Sequence, residues 1–427
     1  MRTLLHTDMN KFYASCERAF RPELRRKPVV VLSNNDGCVV ALTKEAKALG
    51  IRRGVPYFQI KEIAQKHDVA VLSSNYELYQ SMSDRIASII QRHVPVMERY
   101  SIDEIFADLT GVEGDLTELG RGIRSQVDSW TRIPSCVGIG PTKTLAKLCD
   151  HFAKEYDAFG GVVNWFDLTD ERRHKALNIT PIDEIWGIGG RTAEKLRDCR
   201  VRTAGDFIRM SPLRVRQLGG VVLMRTWSEL QGEYCIPIEA VPKPRLQICR
   251  SRSFGTTCSA IDDIRASVIT HVGEACRVMR REGLRAKRLT VFYYTNIFRE
   301  DLPQYSVEVQ AAAPYAAADT LLFSDLADRL ITQTFRSGFE YKKAGIILSD
   351  LTAEKEVSRM PTLFDEVDDV QRTKREALMK TVDELNARYG KNSIVSAASE
   401  LSHAWVMKRD LLSPCCTTRI EDVITAN

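Results

Sequence analysis

Residues 100–109 of the chain read YSIDEIFADL and set two adjacent carboxylates, Asp103 and Glu104, inside an otherwise apolar run. Successive side chains of an extended strand point to opposite faces, so both acids reach one site only where the backbone turns, as at a hairpin tip. Adjacent acids by themselves most often mark a solvated loop or a helix start. Here Ile102, Ile105 and Phe106 flank them, and a charge in apolar surroundings costs free energy unless it is paired or binds a cation. A third acid, Asp8, follows the short strand-like run 4–7 and so stands at a strand's end, where function concentrates.

Three carboxylates with no histidine or cysteine beside them select a hard, oxygen-seeking cation such as Mg²⁺, held in part by substrate phosphates. Two such ions can activate an attacking oxygen and neutralise a leaving one in an in-line phosphoryl displacement. Nucleotidyl cyclases, nucleases and polymerases all use that chemistry, and the acids alone leave the three open.

The elements that would gather the acids follow from pattern. Strand 4–7 leads to a helix over 12–20, ended by Pro22. A β-branched strand (28–33), the turn Asn34-Asn35-Asp36-Gly37, a strand (38–42) and a helix (43–49) closed by Gly50 form a small unit. Residues 76–93 place Tyr79, Met82, Ile86, Ile89 and Ile90 on one helical stripe. A helix over 120–130, a strand over 136–139 and a helix capped by Thr142 come next. That order fits a split βαβ, ferredoxin-like core with the small unit inserted, which would set Asp8 beside Asp103 and Glu104. The glycines near Thr142 lack the spacing of a Walker A loop.

Further on, PIDEIWGIGGRTAEKL holds a GxG turn at Gly187 and Gly189. Read as a helix-hairpin-helix, it offers backbone N–H groups to a nucleic-acid phosphate; a plain helix–helix connection is the alternative. Prolines 237, 242 and 244 mark a linker. Residues 243–288 carry eleven basic side chains against four acidic, a local excess larger than the net +5 of the whole chain. Arg250 and Arg252 belong to it, in what reads as a second α+β domain. A basic face that tracks phosphates competes there with a merely solvated helix face. Leu363 and Phe364 sit in an acidic surround as a packing anchor or a partner peptide. A helix over 372–388 follows, and the remaining tail suggests no task.

A chain of 427 residues should hold three or four domains. No run approaches the roughly 18 apolar residues of a membrane span, and Asp8 interrupts any signal-peptide core, so a cytoplasmic protein is expected. The eleven cysteines show no CxxC spacing, which argues for reduced thiols over disulfides or zinc.

The segments TDMNKFYASCER, PVVVLSNNDGCVVA, EAKALGIRRGVP, SSNYELY, YSIDEIFADLTG, GIGPTKTLAKL, DEIWGIGGR, CRSRSFG and YKKAGIILSDL together resemble Y-family translesion DNA polymerases of the UmuC type, from the first strand almost to the C-terminus. The resemblance implies an α+β multidomain fold: a ferredoxin-like palm (1–24 and 77–165), small fingers (25–76), a helical thumb with the helix-hairpin-helix (166–232), a linker (233–242), an α+β little finger (243–350) and a tail (351–427). It implies that Asp8, Asp103, Glu104 and the Met9 carbonyl hold two Mg²⁺ ions. Tyr13, with Phe12 beside it, matches the aromatic that clashes with a ribose 2′-hydroxyl. Lys154 matches a lysine at the incoming triphosphate, and Lys47 stands where many relatives have arginine, while Ala41 and Lys44 replace a hydroxyl and a tyrosine.

The same likeness implies error-prone synthesis on primer–template DNA from deoxynucleoside triphosphates in the SOS response, with no proofreading nuclease. Partners implied are a processed UmuD-type dimer, RecA and a sliding clamp. Leu363 and Phe364 match the clamp peptide, but Met360 stands where glutamine is usual, which predicts weaker clamp binding. Two other readings compete, a non-catalytic DNA-binding scaffold and a palm-fold nucleotidyl cyclase. Intact Asp8, Asp103, Glu104 and Tyr13 speak against the first; the GxG turn and basic second domain speak against the other.

Overall fold

The computed structural model describes residues 2–241, 243–356, 369–390, 392–400 and 405–423. They form two compact units: residues 1–33, 37–243 and 411–427 in the first, residues 34–36 and 244–410 in the second.

The first unit begins with strand β1 (Leu4–Met9), buried along almost its whole length. Its run LLHTDM buries side chains on both faces, as a strand in the middle of a covered sheet does. Helix Phe12–Phe20 follows, and then a three-stranded module of β2 (Val29–Leu32), β3 (Val39–Leu42) and β4 (Ala70–Ser73), ordered β3-β2-β4. This module has its own small core of Val30, Leu32, Val39, Ala46 and Ile60. Thr43 caps the short helix Lys44–Ala48 by accepting from the Ala46 N–H.

Helix Tyr76–Ile90, capped by Asn75, returns the chain to the first sheet. Strands β5 (Val96–Arg99) and β6 (Glu104–Asp108) form the hairpin that residues 100–109 foreshadow. Helix Leu116–Thr131 comes next, starting four residues before the sequence pattern suggests because Asp115 caps it. Strand β7 (Ser135–Gly140), helix Lys143–Glu155 and strand β8 (Val162–Asn164) complete a sheet of order β5-β6-β1-β7-β8. Without β8, this is the antiparallel ferredoxin-like arrangement, with β1 between β6 and β7.

Gly138 determines how closely the last helix lies. A Cβ there would sit 2.0 Å from the Ala146 carbonyl oxygen and 2.3 Å from the Asp150 nitrogen. Helix Lys143–Glu155 therefore rests directly on β7, which itself pairs with β1. The opposite face of that helix joins a third core with Trp165, Leu177, Ile182, Leu196, Phe207 and Leu230, the helical region that contains the GxG turn.

The second unit is a four-stranded antiparallel sheet of β9 (Gln247–Cys258), β10 (Leu284–Thr295), β11 (Ser306–Ala317) and β12 (Tyr341–Ala353), ordered β11-β10-β12-β9. Helices Ile261–Glu282 and Thr320–Thr334 pack on one face around Phe254, Val272, Tyr293, Phe323 and Ile346. A further helix, Asp369–Tyr389, is tied to this unit by ion pairs of Arg280 with Asp383 and of Arg285 with Glu376. Among the described residues, no helix is long and apolar enough to cross a membrane.

Candidate active site

Strand register places the acids. Asp8 on β1 stands directly opposite Glu104 on β6, and residues opposite each other across an antiparallel pair share a face. Asp103 lies in the tight turn before β6. Its carbonyl accepts the Met9 N–H at 2.9 Å, and its carboxylate accepts the Ser101 hydroxyl at 2.6 Å. The hairpin tip thus does what adjacent acids require: it lets Asp103 and Glu104 serve the two sides of Asp8.

Two clefts meet at Asp8. One, of about 320 Å³, is lined by Glu104, Lys147, Asp150, Lys154 and Trp186. The other, of about 440 Å³, is lined by Met9, Lys11, Tyr13, Val40, Arg53 and Asp103. Volumes of this size suit a small ligand. Among the described residues, the three acids do not close into a ready-made cage of three or more ligating side chains. Lysines of helix Lys143–Glu155 pair with two of the three. Lys154 Nζ sits 2.7 Å from Asp8 and 2.8 Å from Asp150, while Lys147 Nζ reaches Glu104 at 3.0 Å.

Sequence reasoning singles out Lys154 but misses Lys147 and Asp150. The signal exists in their spacing. Lys143, Lys147, Asp150 and Lys154 recur at intervals of four, three and four, which puts them on one helical face, and Gly138 lets that face approach β1. Lys143 forms a buried ion pair with Glu98 at 2.5 Å.

The electrostatics suit a cation. Burial raises the Asp8 pKa; Lys154 opposes the rise, and Asp150 and Glu104 add to it. Burial likewise raises Asp150 against the pull of Lys154. Burial opposes the charge on Lys154, but Asp150 and Asp8 outweigh it and raise its pKa. Fully buried His6, two residues before Asp8, has its pKa pushed well down by burial and then by Lys147 and Lys154, so it stays neutral. The donor set is all oxygen and its buried negative charge is only partly compensated, which fits a hard divalent ion completed by ligand phosphates.

The aromatic wall of the second cleft is Tyr13, half-buried, with its ring stacked on Tyr79 at 4.2 Å and edge-on to Tyr76 at 6.2 Å. Phe12 also lines the cleft but is 2% exposed, so it acts mainly as core. Lys47 differs from expectation: it is exposed on its one-turn helix and does not line the cleft, where Lys11 and Arg53 stand instead. Burial, Lys44, Arg18 and Lys47 together lower the Lys11 pKa despite Glu45, the mark of a locally positive rim.

Gly187 has φ +90°, and a Cβ on it would meet the Thr226 hydroxyl at 2.8 Å; Gly189 is the N-cap of helix Gly190–Asp198. The element before the turn is a single 3₁₀ turn, Ile182–Glu184, in place of the expected short helix. In the second unit, Arg250 and Arg252 lie opposite the core residues Ile346 and Ala344. They therefore belong to the helix-packed side of the edge strand, where burial first, and then their charges, lower the pKa of His271 against Glu274. The opposite side carries Arg288, Phe292, Tyr294 and Lys343, with Lys343 over the Tyr294 ring at 5.8 Å. Arg280 and Arg285, part of the basic cluster read from the sequence, bind the C-terminal helix. Leu363 and Phe364 lie outside the described residues.

This architecture is that of the Y-family DNA polymerases. A solved Y-family DNA polymerase chimera built on Dbh matches it with a TM-score of 0.64 at 22% identity, over 82% of this chain and 99% of that one. Residues 7–151 match the impB/mucB/samB family model, residues 245–360 its C-terminal domain, and residues 376–426 a domain of unknown function. The protein ImpB of Salmonella typhimurium is 41% identical over 97% of both chains, and the protein UmuC of Salmonella typhimurium strain LT2 is 39% identical over 98% of both. The chain belongs to the impB/mucB/samB family.

Proposed function

We infer that the chain is an error-prone, DNA-directed DNA polymerase that extends primers past damaged template bases in SOS mutagenesis. The observation that carries this is the place of Asp8: opposite Glu104, joined through Met9 to the Asp103 turn, and at the meeting of two clefts, one walled by Tyr13. Asp8, Asp103, Glu104 and the Met9 carbonyl would hold two Mg²⁺ ions. When bound, such ions stabilise the attacking and leaving oxygens of nucleotidyl transfer.

The chain's own groups do the rest. Lys154, which pairs with Asp8 and Asp150, would serve the triphosphate, with Lys11 and Arg53 on the cleft wall and Lys47 further out. Tyr13 occupies the space of a ribose 2′-hydroxyl and so selects deoxynucleotides. Val40 and Ala41 line the cleft with small side chains, which would leave room for a damaged template base at the expense of fidelity. The turn Gly187–Gly189 and the sheet face of Arg288, Phe292, Tyr294 and Lys343 would follow the DNA backbone. In family terms, residues 1–24 and 77–165 serve as palm, 25–76 as fingers, 166–232 as thumb and 243–350 as little finger.

A processed UmuD-type dimer, RecA and, through Leu363 and Phe364, a sliding clamp are proposed partners on family likeness. Primer extension with Mg²⁺ on an abasic template, with these partners supplied, tests the reading. Wild-type chain should extend past the lesion and Asp103→Ala should not; equal extension by the two would remove Asp103 from the mechanism.

A further inference from the structure

Residues 376–426 match a domain of unknown function, yet the end of that segment is built into the first unit, behind Tyr13. The Ser73 N–H, at the end of β4, donates to the Leu411 carbonyl at 2.9 Å, and the Leu411 N–H returns a bond to the Ser73 hydroxyl at 3.0 Å. Asn75 then reads the next residues. Its side-chain NH₂ donates to the Ser413 carbonyl at 3.1 Å, the Ser413 hydroxyl at 3.0 Å and the Pro414 carbonyl at 3.3 Å. Its side-chain oxygen meanwhile caps helix Tyr76–Ile90 through the Leu78 N–H.

The Ser413 hydroxyl donates in turn to Glu17 Oε1 at 3.0 Å, the same oxygen that accepts the Tyr79 hydroxyl at 2.7 Å. Glu17, Asn75, Tyr79 and Ser413 are all buried. Glu17 is one helical turn beyond Tyr13, and the Tyr79 ring lies within 15° of parallel to the Tyr13 ring. Tyr79 is thus held at both ends, its hydroxyl by Glu17 and its face by Tyr13. A buried carboxylate depends on its donors, so removing Ser413 leaves Glu17 to find another partner, and Tyr79 must move with it.

We propose that residues 411–415 are a positioning element for sugar discrimination: through Glu17 and Asn75 they fix Tyr79, and Tyr79 fixes the angle at which Tyr13 blocks a 2′-hydroxyl. This rests on the reading of Tyr13 as the sugar gate. The segment touches no substrate. It acts through two stacked rings, and its loss would alter which nucleotide is accepted more than how fast the correct one is joined.

The test is the ratio of ribonucleotide to deoxyribonucleotide kcat/KM in primer extension by the full chain with Mg²⁺ and its partners. Tyr13→Ala should raise the ratio by about tenfold or more, because the clash itself is gone. Ser413→Ala and Tyr79→Phe should each raise it by about threefold, the worth of one lost hydrogen bond. Glu17→Gln, which removes the charge that needs Ser413, should suppress the effect of Ser413→Ala. Adding Ser413→Ala to Tyr13→Ala should raise the ratio no further.

Should Tyr13→Ala raise the ratio while Ser413→Ala and Tyr79→Phe leave it at the wild-type value, the positioning role is wrong and the gate stands. Should either variant slow both nucleotides equally, its role is structural and the proposal fails. An unchanged ratio in Tyr13→Ala would overturn the gate itself, and the proposal with it. Tyr79→Phe deletes a single oxygen, so it keeps the test decisive if Ser413→Ala folds poorly.

Discussion

With the inserted module of β2, β3 and β4 and the added β8 set aside, the first sheet runs strand-helix-strand-strand-helix-strand as the second does, yet the two sheets differ. In the first, the opening strand β1 lies inside the sheet, between β6 and β7; in the second, the opening strand β9 lies at the edge, beside β12. The difference teaches that the order of elements leaves strand order open, while the composition of the first strand settles it. LLHTDM offers buried side chains to both faces. QICRSRSFGTTC buries only Ile248, Phe254 and Cys258 and carries two arginines, as an edge strand can and an interior strand cannot. A central strand has neighbours on both sides to supply partners for an acid at its end. That is why Asp8 is met by Glu104 and by the lysine helix on β7, while Arg250 and Arg252 have the sheet on one side only.

The largest expected effect lies on the interior strand. Asp8→Ala should reduce primer extension by about a thousandfold or more, whereas Arg252→Ala on the edge strand should leave the chemical step within a few-fold in single-turnover assays. Comparable losses in both would dissolve the contrast. Next comes Gly138→Ala, whose Cβ would collide with the backbone of Ala146 and Asp150. A clash of this kind should destabilise the protein by about 3 kcal/mol, read as a fall in denaturation midpoint, and should weaken extension by pushing Lys147 and Lys154 off the acids. A variant with wild-type stability would mean the helix does not rest on β7.

A smaller effect separates the units by pH. His271 in the second unit has a pKa lowered to about 4, by burial first and then by Arg252 and Arg250, against Glu274. An unfolded histidine binds its proton near pH 6.5, so in this window the unfolded state holds more protons and stability falls as pH drops. The loss should be about 2 kcal/mol between pH 6.5 and 5, and His271→Leu should remove it. An unchanged pH–stability curve in that variant would assign the acid sensitivity elsewhere. Smallest is Lys343→Ala, on the sheet side away from the helices. It should weaken DNA binding a few-fold and lower the salt slope by about one; a wild-type salt slope would remove this face from the interface.

Much of the catalytic face is legible in the sequence because its signals are local. The hairpin YSIDEIF follows from charge within an apolar strand, and Thr142 from its capping position. The roles of Lys147 and Asp150 are not local, since they depend on Gly138 admitting a helix to van der Waals contact with β7. Lys47 stands off the cleft wall because a basic residue on a one-turn helix can point to solvent, which its sequence position does not reveal. The side that Arg250 and Arg252 take is not legible, because strand parity names two sides without saying which one the helices cover. The basic excess of residues 243–288 overstates the charge left unpaired, since Arg280 and Arg285 are tied to Asp383 and Glu376.

The bond between Ser413 and Glu17 spans 396 positions of sequence. During synthesis, which delivers the N-terminal part first, Glu17 and Tyr79 leave the ribosome long before Ser413 exists. The first unit therefore assembles around an oxygen that lacks one of its donors until the second unit has been translated. Contacts of such high order slow folding, because the loop must close before the contact rewards it. The wall behind Tyr13 is finished only by residues 411–415, so a chain broken off before them would leave the ring stack of Tyr13 and Tyr79 without the Ser413 hydroxyl behind it.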